Sequence, residues 1–261
     1  MAGDNLGKYF RDYRHRLGFT SQGEAKNYLA AKDIIPEVNI PYLHDLTARI
    51  REMIEKINGL IYTKYQKNEI EAFISEAVKK PYNKIVAGGL ISKLNNQGRR
   101  PEGVLFSWLR GYAVCELFIH AIADIFNVPV NSITKIGDDN WNDPATFKRT
   151  PRADLKILRG GTEVLIEVQT GFQDANDVKE HKVREACRVF DSQGVKTVCV
   201  HIDIFNGQVA FVRLDTIEDT DVSWVTRQQM EGQSVFEIRQ NYFKWRFIEA
   251  PPSLDELELD L

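Results

Sequence analysis

The chain has 261 residues, 43% hydrophobic and 27% charged, enough to bury a sizeable core and ordinary for a globular protein in water. No run approaches the roughly 18 consecutive apolar residues of a membrane span, Met1 to Thr20 is too polar and basic for a secretory leader, and three scattered cysteines (Cys115, Cys187, Cys199) suit neither a disulfide framework nor a zinc site, so a reducing, cytoplasmic setting without a membrane is expected. The net charge of −3 argues against wholesale coating of nucleic acid, but it is unevenly spread: residues 1–110 hold 18 Lys/Arg and 12 Asp/Glu, residues 111–261 hold 16 and 25.

Residues 1–80 read as helices. Leu43, Leu46, Ile50, Met53, Ile54 and Ile57 recur at spacings of three and four, which predicts a helix over Tyr42 to Ile61. A second helical run, Glu69 to Val78, precedes Pro81, and the breaker-rich stretch from Asn95 to Pro101 reads as loop. Val104 to Phe126 is apolar nearly all round and predicts a helix buried at the centre of the fold. Residues 137–152 are loop by composition. From Ala153 the pattern becomes β: Asp154–Leu158, a turn at Arg159-Gly160-Gly161, then Thr162–Gln169. Asp177 to Ser192 reads as a helix with Asp177 as N-cap and Gly194 as stop. Strands Thr197–Asp203 and Gln208–Leu214 follow, joined through Phe205-Asn206-Gly207, a type I′ hairpin signal. Phe243, Trp245 and Phe247 alternate with basic residues as in a half-buried strand, and Leu254 to Leu261 reads as a solvated acidic tail. The expected fold class is α/β (α+β) with one mixed central sheet, divided into a helical N-terminal region (1–100) and a core with a C-terminal extension (101–261).

The chemistry concentrates between Pro151 and Gln169. Side chains two apart on a strand share a face, so Glu167 and Gln169 emerge together while Val164, Ile166 and Val168 point into a core. The Gly160-Gly161 turn folds the preceding strand back and brings Asp154 towards Glu167. Two carboxylates in such a place suit a hard divalent cation such as Mg²⁺. In this segment the chain resembles the PD-(D/E)xK nuclease superfamily, whose pattern is an Asp opening one strand and a (D/E)-x-K on the next. Asp154, twelve residues, then Glu167-Val168-Gln169 occupies that frame over about residues 104–214. The resemblance implies a restriction-endonuclease-like core, hydrolysis of DNA, Asp154 and Glu167 as metal ligands, and Glu116 on the preceding buried helix as an auxiliary acid.

Two positions depart from the pattern: Pro151 stands three residues before Asp154, and Gln169 stands where Lys is usual. Gln cannot act as an ammonium, but it can position water through hydrogen bonds, as in the restriction enzymes of the superfamily with a Glu-x-Gln strand. Lys182 lies on a stripe with Val178, Ala186 and Val189, either as a cation snorkelling over apolar surface or as a substitute for the missing lysine. Glu116 has two readings as well: a structural partner of Arg110 or His120, or a carboxylate facing the metal. Three basic and amide-rich groups suit contacts with DNA: Asn96, Gln97, Arg99 and Arg100; Lys148, Arg149 and Arg152; and Arg227, Gln228 and Arg239.

The reading of the sequence is therefore a type II restriction endonuclease using Mg²⁺ on double-stranded DNA. Symmetry of a palindromic target makes a homodimer the expectation, and a DNA methyltransferase is expected in the same system. The alternatives are a repair or recombination nuclease of the same superfamily, and a non-catalytic DNA-binding module on this fold.

Overall fold

Asn39 caps the long helix of the N-terminal region by accepting the Tyr42 N–H at 3.0 Å, and Pro41 sits in its first turn, where no N–H partner is required. The structure is a computed structural model describing residues 3–31, 33–34, 36–94, 100–137, 152–173, 176–218, 225–227 and 233–261. Its helices are α1 (Gly3–Arg16), α2 (Gln22–Leu29), α3 (Ile40–Asn58), α4 (Ile70–Ile74), α5 (Lys80–Ala87), α6 (Pro101–Ile125) and α7 (Glu180–Gln193). The apolar stripe expected for α3 is there: Leu43, Ile50, Ile54 and Ile57 are all buried.

Pro81 does not end the second helical run. A π-helical turn, Ser75–Lys79, carries α4 straight into α5, with Pro81 in the first turn of α5. The widened turn leaves no α-helical bond for the missing Pro81 N–H to supply, which removes the usual cost of proline inside a helix. By length and hydropathy α6 could cross a membrane; here Leu105, Leu109, Ala113, Leu117 and Phe118 pack into protein.

Six strands form a mixed sheet in the order β1-β2-β3-β5-β6-β9: β1 (Thr134–Lys135), β2 (Leu155–Arg159), β3 (Thr162–Gly171), β5 (Lys196–Asp203), β6 (Gln208–Arg213) and β9 (Phe243–Arg246). Only β3 and β5 run parallel, linked through α7; the other pairs are antiparallel. The β2–β3 turn works because Gly160 and Gly161 both take positive φ, 56° and 87°, the pair a two-residue hairpin with the sheet's twist needs. One face of the sheet (Val164, Ile166, Val198, Val200) joins α3 and α6 in the main core. The other face is covered by α7 through Leu165 with Val189, and Cys199 with Val183 and Ala186. Leu43 and Ile50 share the main core with the sheet, so packing is continuous across position 100, whereas none of the described side chains of α1 and α2 joins that core.

Four expectations are corrected. A second sheet exists, three-stranded in the order β4-β8-β7, from β4 (Asp177–Lys179), β7 (Val225–Arg227) and β8 (Gln233–Glu237). It claims Asp177 and Val178 as strand through pairing with Glu237 and Phe236, so α7 starts three residues later than its periodicity suggested and Asp177 is not its cap. The β5–β6 connection is a four-residue loop in which Gly207 has positive φ and Asn206 does not, which excludes type I′. The buried Asp203 carboxylate holds it, accepting the Phe205 and Asn206 N–H groups at 3.1 and 3.2 Å. Finally, the C-terminal tail is docked: Leu257 and Leu259 are buried, and Arg213 and Lys196 donate to the Leu259 and Asp260 carbonyls.

Candidate active site

The site is built where β2 parts from β3. The last full pairing of the ladder is Leu155 with Ile166; one residue earlier, the Asp154 N–H donates to the Ile166 carbonyl at 3.1 Å. The Asp154 carboxylate then substitutes for the strand, its Oδ2 accepting the Val168 N–H at 2.8 Å. From behind, the Ile136 and Gly137 N–H groups both donate to the Asp154 carbonyl, and Gly137 lies so close that a Cβ there would sit 2.9 Å from the Asp154 Cα. These contacts fix Asp154 at the head of β2 while β3 runs on alone.

Glu167 points to the α7 side of the sheet and is only 4% exposed. Lys182, from the first turn of α7, reaches it: its Nζ lies 2.8 Å from Glu167 Oε2 and donates to the Arg152 carbonyl at 3.0 Å. The Gln169 amide lies 3.5 Å from the other Glu167 oxygen. Burial and the nearby Asp154 charge push the Glu167 carboxyl up to about 8, against the opposing pull of Lys182 and the Gln169 hydrogen bond. Asp154, Glu167, Gln169 and Lys182 are thus gathered in one place. A cleft of about 310 Å³ opens beside them, lined by Arg152, Lys156, Lys182 and Arg188 among others.

Glu116 is placed otherwise. It pairs with Lys135 of β1, Oε1 to Nζ 2.5 Å, and neither Arg110 nor His120 is its partner in that ion pair. The groups that shift Glu167 include Asp154 and Lys182 and not Glu116. Among the described residues no three His, Cys, Asp or Glu side chains converge as a metal-ligand group. The pair of carboxylates nevertheless suits a divalent cation: both offer hard oxygen donors, and a buried carboxyl raised by its acidic neighbour marks a crowding of negative charge that a cation relieves.

Of the residues expected to meet DNA, Asn96, Gln97, Arg99, Lys148, Arg149 and Gln228 lie outside the described residues. Arg100 precedes α6, stacks over the Tyr42 ring at 5.5 Å and lies 3.4 Å from the buried Glu102. Arg152 is exposed at the cleft, Arg227 belongs to β7, and Arg239 is exposed just after β8. The sequence reading missed the pair at the far end of β3, where the buried His201 Nε2 lies 2.8 Å from Asn176 Oδ1 against Gly171. Its only trace in the sequence is a glycine closing an otherwise branched strand.

No family model and no curated protein matches the chain. Among solved structures, Hjc, a Holliday junction resolvase from the archaeal hyperthermophile Archaeoglobus fulgidus, is similar over 48% of this chain and 87% of its own, with 12% identity and a TM-score of 0.31.

Proposed function

We propose that this protein is a divalent-metal-dependent endonuclease acting on double-stranded DNA, and more narrowly an enzyme of the type II restriction kind. One observation carries the reading. Lys182 Nζ of α7 lies 2.8 Å from Glu167, where it would supply the lysine absent from the second motif, in which Gln169 stands. Asp154, Glu167 and a lysine beside an amide make up the donor set that the motif frame calls for, reached from three different elements.

Asp154 and Glu167 would hold the metal, Mg²⁺ by the hardness of their oxygens, and the ion when bound would offset charge on the scissile phosphate and lower the pKa of water. The chain's own groups do the rest. The Lys182 ammonium stabilises the hydroxide that attacks phosphorus and the negative charge that builds on the phosphate oxygens. The Gln169 amide, fixed against Glu167, orients the attacking water. The water gives up its proton to solvent, the bond formed is hydroxide oxygen to phosphorus, the bond broken is phosphorus to the bridging oxygen, and the leaving oxygen takes up a proton from solvent. Glu116, held by Lys135, would support the site from α6. Arg152 at the cleft, with Lys148, Arg149, Arg227 and Arg239 elsewhere, would meet backbone and bases. Two such chains related by a two-fold axis would cut both strands of a palindrome.

Incubation of plasmid DNA with the protein and Mg²⁺ tests the reading. Discrete fragments support a site-specific enzyme, a smear supports a nuclease without site preference, and intact DNA overturns catalysis. Asp154→Asn, Glu167→Gln and Lys182→Met should each lower cutting by about a hundredfold or more, the size usual for one positioned electrostatic group, while DNA binding in Ca²⁺ persists.

A further inference from the structure

Arg110 sits on α6, 8% exposed, yet among the described residues it has neither a carboxylate partner nor a hydrogen bond to its Nε. Its guanidinium lies between two rings, with Cζ 3.8 Å from the centre of Phe172 and 5.3 Å from that of Phe106. Burial lowers its pKa, to about 10, and no anion among the described residues pulls the other way. Aromatic faces attract a cation but supply neither a counter-charge nor an acceptor for the buried Nε–H. A buried charge in that condition is costly unless an anion completes it.

The position says which anion. The next residue, Gly111, lies against Thr170, 3.6 Å from the Thr170 Oγ1 to an added Cβ, and Thr170 follows Gln169 directly on β3. Along β3 the side chains alternate, so Glu167 and Gln169 face α7 while Thr170 and Phe172 face α6. Beyond Val168 the strand has no β2 neighbour. Arg110 therefore lies at the same open end of β3 as the carboxylates but on the opposite face. The Phe172 ring lies against the guanidinium and is itself 47% exposed.

We propose that Arg110 is a phosphate-binding residue, taking a backbone phosphate of the bound DNA next to the one held at Asp154 and Glu167, with Phe172 as the ring that orients its planar fork. The inference rests on the DNA-cutting reading above. The fork suits two phosphate oxygens at once, which a lysine in the same place does not match. A phosphate there supplies the missing counter-charge, and it fixes the register of the strand across the end of β3.

The test uses the full chain, mixed-sequence duplex DNA labelled with a fluorophore, and Ca²⁺ in place of Mg²⁺, with affinity read by anisotropy from low to moderate KCl. Arg110→Met keeps the stem and removes the charge. It should weaken binding by about tenfold and reduce the slope of log affinity against log salt by about 0.9, the value for one phosphate contact. Arg110→Lys should keep the slope and lose about threefold or more in affinity, since charge remains and the fork is lost. A structural arginine would change the melting temperature and leave the salt slope alone. Wild-type slope and affinity in Arg110→Met overturn the inference, and if that variant fails to fold, wild-type affinity in a folded Arg110→Lys does so. Should either happen while the wild type still cuts with Mg²⁺, the reading of the active site stands. A wild type that neither binds nor cuts DNA overturns both.

Discussion

Glu167 is the residue on which the site turns, because it is buried against one acid and one base at once. Its carboxyl is raised from 4.5 to about 8, first by burial and then by Asp154. In the absence of metal the folded protein keeps a proton there that the unfolded chain gives up near its ordinary value. This contribution to stability is full below about pH 4.5 and is lost as pH rises through about 8. The melting temperature in EDTA should therefore fall from pH 5 to pH 8 more steeply for the wild type than for Glu167→Gln. The buried His201, lowered to about 4, acts in the other direction between its two values and is common to both proteins, so the difference between them isolates Glu167. A cation needs the carboxylate, so Mg²⁺ should bind more tightly across the same rise in pH; a flat metal affinity from pH 6 to 8 would remove Glu167 from the site. Asp154, Glu167 and Gln169 were legible in the sequence because strand alternation and a short glycine turn are local rules. Lys182 was legible as a residue edging the buried face of a helix, but its partner was not, since the contact spans fifteen residues and depends on where α7 docks. Glu116 shows the opposite outcome: its partner Lys135 lies on a two-residue strand that no pattern announced.

At the scale of elements, the strands that read clearly are those whose pairing is local or whose alternation is long. The β2–β3 hairpin and the β5–β6 pair fall in this class. The strands β1, β4, β7 and β8 are two to five residues long and owe their existence to distant partners, so propensity over so short a window says little. The same distant pairing took Asp177 and Val178 from a helix that their periodicity favoured. The connection of β1 to β2 carries a testable consequence. Gly137 leaves no room for a side chain: a Cβ would meet the Asp154 Cα at 2.9 Å and its Oδ1 at 3.1 Å. Gly137→Ala must displace the head of β2, which lies between Gly137 and β3, and disturb the bond from the Val168 N–H to Asp154. Overpacking of this kind costs about 1–3 kcal/mol, which denaturant unfolding would register. Cutting should fall by at least about tenfold, as reacting groups displaced by a fraction of an ångström lose far more rate than stability. Full activity in a Gly137→Ala protein would mean that the placement of Asp154 is not critical.

At the scale of the whole molecule, the distribution of charge bears on the proposed DNA target. The net charge is −3, and the excess of acid is confined to residues 111–261, the half of the sequence that holds Asp154 and Glu167. The basic excess lies in residues 1–110, while Arg152, Lys156, Lys182 and Arg188 line the cleft beside the carboxylates. A divalent ion between the two carboxylates would add positive charge beside Asp154 and should strengthen the attraction for a phosphate there. Two unit charges about 8 Å apart at an effective dielectric of about 20 interact by about 2 kcal/mol, so one ionised carboxylate near the scissile phosphate costs roughly tenfold or more in affinity. DNA affinity measured in EDTA should accordingly rise by about that factor when Ca²⁺ is added to the wild type. Asp154→Asn, which removes a carboxylate without changing its size, should bind more tightly than the wild type in EDTA and gain little from Ca²⁺. The gap between the two proteins should also narrow in high salt, because an exposed phosphate is screened beyond about 10 Å at 0.1 M. If Ca²⁺ leaves wild-type affinity unchanged, the cation does not bind between protein and phosphate, and the two carboxylates serve the fold instead of the DNA.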